Sequence, residues 1–249
     1  MVEPLESKPR TIALLIDGDN AQPSLISDIM AEAGKYGSLT VRRIYGDWTT
    51  SNMQGWKDTL NASAIQPIQQ FRYTIGKNAT DSAMIIDAMD ILHSKLVDGF
   101  CLVSSDSDYT RLATRIRESG VFVMGIGKRI TPKAFVNACN VFIYTENLDV
   151  KEPAPRGKKS SKKAAAKDEK KKFDPVPLLK GAYDMAIQED GWANLATMGF
   201  YLRQLDPSFD PRTYGHKQLS QLLKSQGRLF EMRFQETPGS TDIFVRIKE

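Results

Sequence analysis

The sequence predicts an α/β fold, a parallel sheet with flanking helices, followed by a small winged-helix (α+β) unit. Three observations lead there. Apolar, strand-like runs alternate with helical periods from residue 11 to about residue 145, the pattern of a parallel sheet covered on both faces. Two of those runs end in acidic groups, Leu15-Ile16-Asp17-Gly18-Asp19-Asn20 and Val103-Ser104-Ser105-Asp106-Ser107-Asp108. Open α/β sheets place their chemistry at such carboxyl ends. Beyond residue 172 the pattern changes to three helical periods and two alternating strands.

In order along the chain, residues 1–10 read as a flexible tail and Thr11 to Ile16 as a continuous apolar strand. Leu25, Ile26, Ile29, Met30 and Ala33 recur at helical spacing and predict a helix from Pro23 to about Tyr36, ended by Gly34 and Gly37. Leu39 to Tyr45 is a second strand, Met53 to Leu60 a short helix, and Ile65 to Tyr73 a third strand interrupted by Pro67. The strongest helix runs from Asp81 to Leu96, with Met84, Ile85, Ala88, Ile91 and Leu92 as its apolar stripe. Phe100 to Val103 is the fourth strand. Tyr109 to Glu118 is a helix with Gly120 as its C-cap, and Val121 to Ile126 is the fifth strand. A short helix after Thr131-Pro132 and a last strand, Val141 to Ile143, complete a domain over residues 11–150.

The chain has 249 residues, 41% hydrophobic and 26% charged. That is material for one domain of about 150 residues and a smaller one. No apolar run approaches the roughly 18 residues needed to cross a membrane, and the N-terminus lacks the basic-then-apolar pattern of a signal peptide. A cytoplasmic protein with no membrane partner is therefore expected. Cys101 and Cys139 lie in apolar stretches without a CxxC neighbour, and are expected to be buried thiols.

The net charge of +4 conceals an asymmetry: residues 151–172 hold ten Lys or Arg against three acids, a charge of +7, which leaves the rest of the chain at −3. This segment has no bulky apolar residue and cannot bury a core, so it reads as a disordered linker. It is either a solvated tether or a basic arm that binds nucleic-acid phosphates without sequence specificity.

Carboxylates converging at strand ends raise one another's pKa unless something positive neutralises them. A hard divalent cation, Mg²⁺ or Mn²⁺, is the economical neutraliser because it prefers oxygen ligands. Taken singly, each acid has another reading: Asp19 or Asn20, Asp81 and Asp106 all stand where a helix cap or first-turn acid is favourable. Three strand ends loaded with acids favour the metal site. The two histidines, His93 and His216, form no triad or zinc spacing, and His93 reads as a surface residue.

Five motifs in this order, Asp17-Gly18-Asp19-Asn20, Ile44-Tyr45-Gly46-Asp47, Lys77-Asn78-Ala79-Thr80-Asp81, Ser104-Ser105-Asp106-Ser107-Asp108 and Val123-Met124-Gly125-Ile126-Gly127, resemble the NYN family, a nuclease-like branch of the PIN fold, over residues 11–145. The resemblance implies a metal-dependent ribonuclease in which Asp17, Asp81, Asp106 and Asp108 are the catalytic, metal-binding acids. Asn20, Asp19, Asp47 and Ser104 would support them. Metal-assisted hydrolysis then leaves a 5′-phosphate and a 3′-hydroxyl, with no His or Lys required as general base. Asp87 lies about a turn and a half beyond Asp81 and is left out. Arg72, Lys77, Lys128 and Arg129 are expected to contact substrate, and Trp48 and Trp56 either to stack on bases or to pack in the core. RNA is expected ahead of DNA. Fold analogy adds the expectation of a homodimer.

After the linker, Asp174-Pro175 opens a helix to about Gln188, a second helix spans Asn194 to Leu205, and Asp210-Pro211 opens a third containing Tyr214, Leu219, Leu222 and Leu223. The strands Leu229 to Gln235 and Thr241 to Ile247 form a hairpin about Thr237-Pro238-Gly239-Ser240. Residues 173–249 are thus expected to be a second domain. Phe209-Asp210-Pro211-Arg212-Thr213-Tyr214-Gly215 with Lys217-Gln218-Leu219-Ser220-Gln221-Leu222-Leu223 and the hairpin resembles the OST-HTH, or LOTUS, domain. That resemblance implies RNA binding, or protein binding in some members, with Arg212, Tyr214, His216 and Lys217 as candidate contacts. Lys224 lies beside them, and Arg228, Arg233 and Arg246 decorate the wing.

The alternative reading is a non-catalytic RNA-binding regulator with an inactive nuclease-like domain. Asp17-Gly18-Asp19 also mimics the nucleophile motif of haloacid-dehalogenase phosphatases. Ala21 stands where that mechanism wants a hydroxyl, and no suitable Lys is assignable.

Overall fold

The computed structural model describes residues 9–71, 79–148, 174–237 and 240–248, which fall into two compact units divided after residue 150. The first contains β1 (Thr11–Asp17), α1 (Ile26–Gly34), β2 (Ser38–Gly46), α2 (Lys57–Ser63), β3 (Gln66–Gln69), α3 (Ala79–Ser94), β4 (Gly99–Val103), α4 (Thr110–Glu118), β5 (Phe122–Gly127), α5 (Lys133–Ala138) and β6 (Val141–Tyr144). Among the described residues, six strands make one parallel sheet in the order β3-β2-β1-β4-β5-β6.

The central strands are apolar throughout because the sheet is covered on both faces. Ile12, Leu14 and Ile16 of β1 join Ile26, Ile29 and Leu60 in one core. Ala13 and Leu15 join Met84, Leu112 and Phe135 in the other. The chain winds from β1 outward through β2 and β3, then returns to the middle as β4. The strand order reverses between β1 and β4, and in such sheets the crevice at that switch point is where ligands bind. Side chains alternate along a strand, so Asp17, next after Ile16, and Ser104, next after Val103, both emerge on the α3 side of this crevice. Two glycines permit the close approach. A Cβ on Gly18 would lie 2.8 Å from the Tyr45 carbonyl oxygen, and one on Gly127 would lie 2.4 Å from the carbonyl oxygen of Ser104.

The third strand ends at Gln69, short of the expected Tyr73; residues 72–78 lie outside the described residues. An edge position accommodates Pro67. Cys101 and Cys139 are buried and unbridged. No helix among the described residues is long and apolar enough to cross a membrane.

The second unit contains α6 (Val176–Ala186), β7 (Ala193–Asn194), α7 (Leu195–Leu205), α8 (Leu219–Ser225), β8 (Phe230–Thr237) and β9 (Ser240–Ile247). Leu179, Ala182, Met198, Leu202, Leu222, Leu223, Phe230 and Val245 share its core. Two features differ from the expectation. The third helix is divided: a 3-10 turn, Pro211–Tyr214, stops at Gly215, whose φ of 81° is left-handed, and α8 starts only at Leu219. The hairpin gains a third strand, β7, which pairs with β9. A strand of two residues carries no readable alternation.

Candidate functional site

Asp81, Asp106 and Asp108 each offer a carboxylate oxygen within 4.8 Å of the others. Asp81 comes from the first turn of α3. Asp106 and Asp108 come from the turn that links β4 to α4, where Asp106 accepts the Asp108 amide at 2.9 Å and so caps the turn it begins. Capping and clustering are therefore compatible uses of one carboxylate.

Asp17 stands behind this group, fully buried at the end of β1. One of its oxygens accepts hydrogen bonds from Asn20 Nδ2 at 2.6 Å and Ser104 Oγ at 2.8 Å, and the other accepts the Asp19 amide at 3.1 Å. Its donor atoms are not among those gathered within 4.8 Å. Burial pushes the Asp17 carboxyl above the ordinary carboxylate range and the charge of Asp81 adds to the push, while the hydrogen bonds from Asn20 and Ser104 oppose it. The carboxyl of Asp81 is raised too, first by burial and then by repulsion from Asp106, Asp108 and Asp19, against a hydrogen bond from Tyr109.

Ser104 bridges the two layers, because its hydroxyl also accepts the Asp106 amide at 3.0 Å. Asp19 accepts the Thr80 hydroxyl at 3.2 Å, next to Asp81 in sequence. Asp47 organises the loop after β2 instead: its Oδ1 accepts the amide and hydroxyl of Thr49 and the side-chain amide of Gln69. Asp87 is engaged by Arg43 and the Tyr45 hydroxyl.

Sequence reasoning missed Tyr109. It is fully buried, and its hydroxyl donates to Asp81 Oδ1 at 2.7 Å. Its position directly after Asp108 was a signal, but an aromatic residue opening a helix reads first as core.

Lys128 and Arg129 lie on the loop after β5, at the carboxyl edge. The Lys128 amide donates to Ser105 Oγ at 2.9 Å, and the Arg129 amide to both oxygens of Glu146 at 3.0 and 3.1 Å. Arg72 and Lys77 lie outside the described residues. Trp56 is 1% exposed and packs in the core, the second of the two roles expected for it, whereas Trp48 is half-buried with its indole N–H donating to the Ile68 carbonyl at 3.0 Å.

In the second unit, Arg212 folds back on Asp210, donating from Nε to both carboxylate oxygens at 3.0 and 2.9 Å and from Nη2 at 2.6 Å. Tyr214 packs beside Phe209, ring centroids 5.8 Å apart, at the edge of the core. His216 is half-buried and Lys217 exposed. The wing carries a cation–π arrangement not anticipated from sequence. The Arg233 and Arg246 guanidinium carbons lie 4.7 and 4.8 Å from the centroid of the Trp192 ring, and Lys224 lies over Phe234.

The family model for the NYN domain matches residues 11–148, and that for the OST-HTH/LOTUS domain matches residues 169–240. No curated protein matches the chain. Among solved structures, the chain is similar to a protein of unknown function from Vibrio parahaemolyticus, at 18% identity and a TM-score of 0.47, covering 56% of this chain and 94% of that one. It is also similar to an uncharacterised protein from Nitrosomonas europaea, at 32% identity and a TM-score of 0.29, covering 41% of this chain and 90% of that one. The motif order, the sheet with acids at its switch point and the matched domain over more than half the chain lead to one assignment: this protein belongs to the NYN domain family, a nuclease-like family, and carries an OST-HTH/LOTUS domain at its C-terminal side.

Proposed function

We propose that this protein is a metal-dependent ribonuclease that hydrolyses RNA phosphodiesters at Asp81, Asp106 and Asp108, with the OST-HTH/LOTUS domain capturing the substrate. The observation that carries this reading is the three carboxylates gathered within 4.8 Å at the sheet's switch point. An all-oxygen donor set of negative charge fits Mg²⁺ or Mn²⁺. When bound, such an ion neutralises the phosphodiester's charge and acidifies water for attack. The chain's own residues do the rest. Tyr109 orients Asp81, Ser104 ties the Asp106 amide to Asp17, and Asp17 places a buried carboxyl behind the cluster. Lys128 and Arg129, at the same edge, supply positive charge for the flanking phosphates. Tethering a second RNA-binding unit raises the substrate's local concentration at the cleft. The free, buried Cys101 and Cys139 suit a reducing, cytoplasmic setting.

The test is cleavage of a labelled single-stranded RNA at low salt in Mn²⁺, Mg²⁺ or EDTA, with Asp106→Asn in parallel. Cutting that needs metal and falls at least a hundredfold in the variant supports the proposal. RNA bound but uncut by wild type in every condition would replace it with a non-catalytic RNA-binding regulator.

A further inference from the structure

We infer that Tyr109 is a positioning residue for the acidic cluster, holding Asp81 in the arrangement that brings it to Asp106 and Asp108. This rests on the metal-site reading above and adds a specific part to it. The three acids come from two segments far apart in sequence, the first turn of α3 and the turn between β4 and α4. The Tyr109 hydroxyl crosses between them: its residue belongs to the second segment, directly after Asp108, and it donates to Asp81 Oδ1 of the first at 2.7 Å. A carboxylate can rotate about two side-chain bonds, and three acid neighbours, Asp106, Asp108 and Asp19, repel this one. A donor on one oxygen removes much of that freedom.

The phenol can do this because it is itself immobile. Tyr109 is fully buried, and its ring leans on Phe135, with centroids 6.4 Å apart. Phe135 meets Phe142 edge-on at 5.7 Å, and Phe142 meets Tyr144 at 5.4 Å. The hydroxyl thus stands on an aromatic column running from the turn before α4 through α5 to β6. Phenylalanine would fill the same core space, so packing alone accounts for the ring and leaves the hydroxyl to be explained by Asp81. Groups that orient a metal-binding side chain from behind typically contribute tenfold to a hundredfold in affinity.

The experiment is a Mn²⁺ titration of the full chain followed by electron paramagnetic resonance, comparing wild type, Tyr109→Phe, Asp81→Asn and the double variant, with melting temperatures taken in EDTA. The expected result is Mn²⁺ binding weakened about tenfold in Tyr109→Phe, with no further loss when the change is added to Asp81→Asn. The cleavage rate of Tyr109→Phe should recover toward wild type as Mn²⁺ is raised, since the defect is in loading the site. Equal affinity for Mn²⁺ in wild type and Tyr109→Phe overturns this inference alone, and so does a loss that adds fully to that of Asp81→Asn. A wild type that binds no Mn²⁺ overturns the metal reading and this inference together. Because both comparisons are of affinity in the folded state, a lowered melting temperature in Tyr109→Phe leaves the cycle readable below that temperature.

Discussion

Asp81 is held above the ordinary carboxylate range by burial and by the charges of Asp106, Asp108 and Asp19, which outweigh the hydrogen bond from Tyr109. Such a group destabilises the metal-free protein wherever it must be ionised. The folded state holds its proton to higher pH than the unfolded chain, so stability falls as pH rises from the ordinary value of 3.8 through the raised one. Asn at this position still accepts the Tyr109 hydroxyl and carries no charge. In EDTA at pH 7, Asp81→Asn should therefore melt higher than wild type, by about 1 kcal/mol of stability. The gap should close as pH falls below the ordinary value of 3.8, where the carboxyl is protonated in the folded and the unfolded chain alike. Added Mn²⁺ should reverse the order by stabilising wild type more than the variant. Calorimetry across pH, with and without the ion, checks all three statements. A residue-scale reading of the sequence found the acids, because carboxylates at strand ends are conspicuous. It missed Tyr109, because an aromatic residue serves a core and a site equally well until its hydroxyl has a partner.

At the scale of elements, local chemistry decided most boundaries. The Asn194 side chain accepts the Ala196 and Thr197 amides and starts α7 where the sequence placed it. Gly120, at φ 75°, closes the turn after α4. The region after Asp210 shows where local reading ran out. Arg212 was expected to contact RNA, since a basic residue on or beside the third helix is ordinarily solvated. The structure turns it onto Asp210, whose side chain is 7% exposed against 25% for Arg212. Arg212→Ala would leave that carboxylate with the amide of residue 212 but without its guanidinium, and should cost about 2 kcal/mol, below the ~3–5 kcal/mol of a fully buried pair. Urea denaturation monitored on the second unit measures it. The affinity for RNA at temperatures where the variant stays folded should change little. Lys217 and Lys224 are exposed at the surface.

For the whole molecule, charge separates from fold. The two matched domains carry the recognisable structure, while residues 151–172, which overlap the second match only at 169–172, hold the +7 that makes the chain basic. If this segment contacts RNA phosphates, replacing Lys158, Lys159, Lys162 and Lys163 by Ala should lower the slope of log affinity against log salt by up to about 0.7 for each lysine in contact. Melting temperature should not move. Fluorescence anisotropy on a single-stranded RNA between low and moderate salt reads the slope directly. An unchanged slope would make the segment a tether only.

The sequence by itself determined the fold class, the alternation of strands and helices in the first unit, the three helical periods and hairpin of the second, and the placement of acids at the carboxyl ends of β1 and β4. These follow from periodicity and from capping, which act over a few residues. Tertiary structure alone decided which acids meet. Asp81 joins Asp106 and Asp108 because the sheet order reverses between β1 and β4. Asp17 is held one layer back by Asn20 and Ser104, and Asp47 is drawn into the loop after β2. A carboxylate's function depends on which donors and charges the rest of the chain brings within a few ångströms, and no pattern along the sequence encodes that distance.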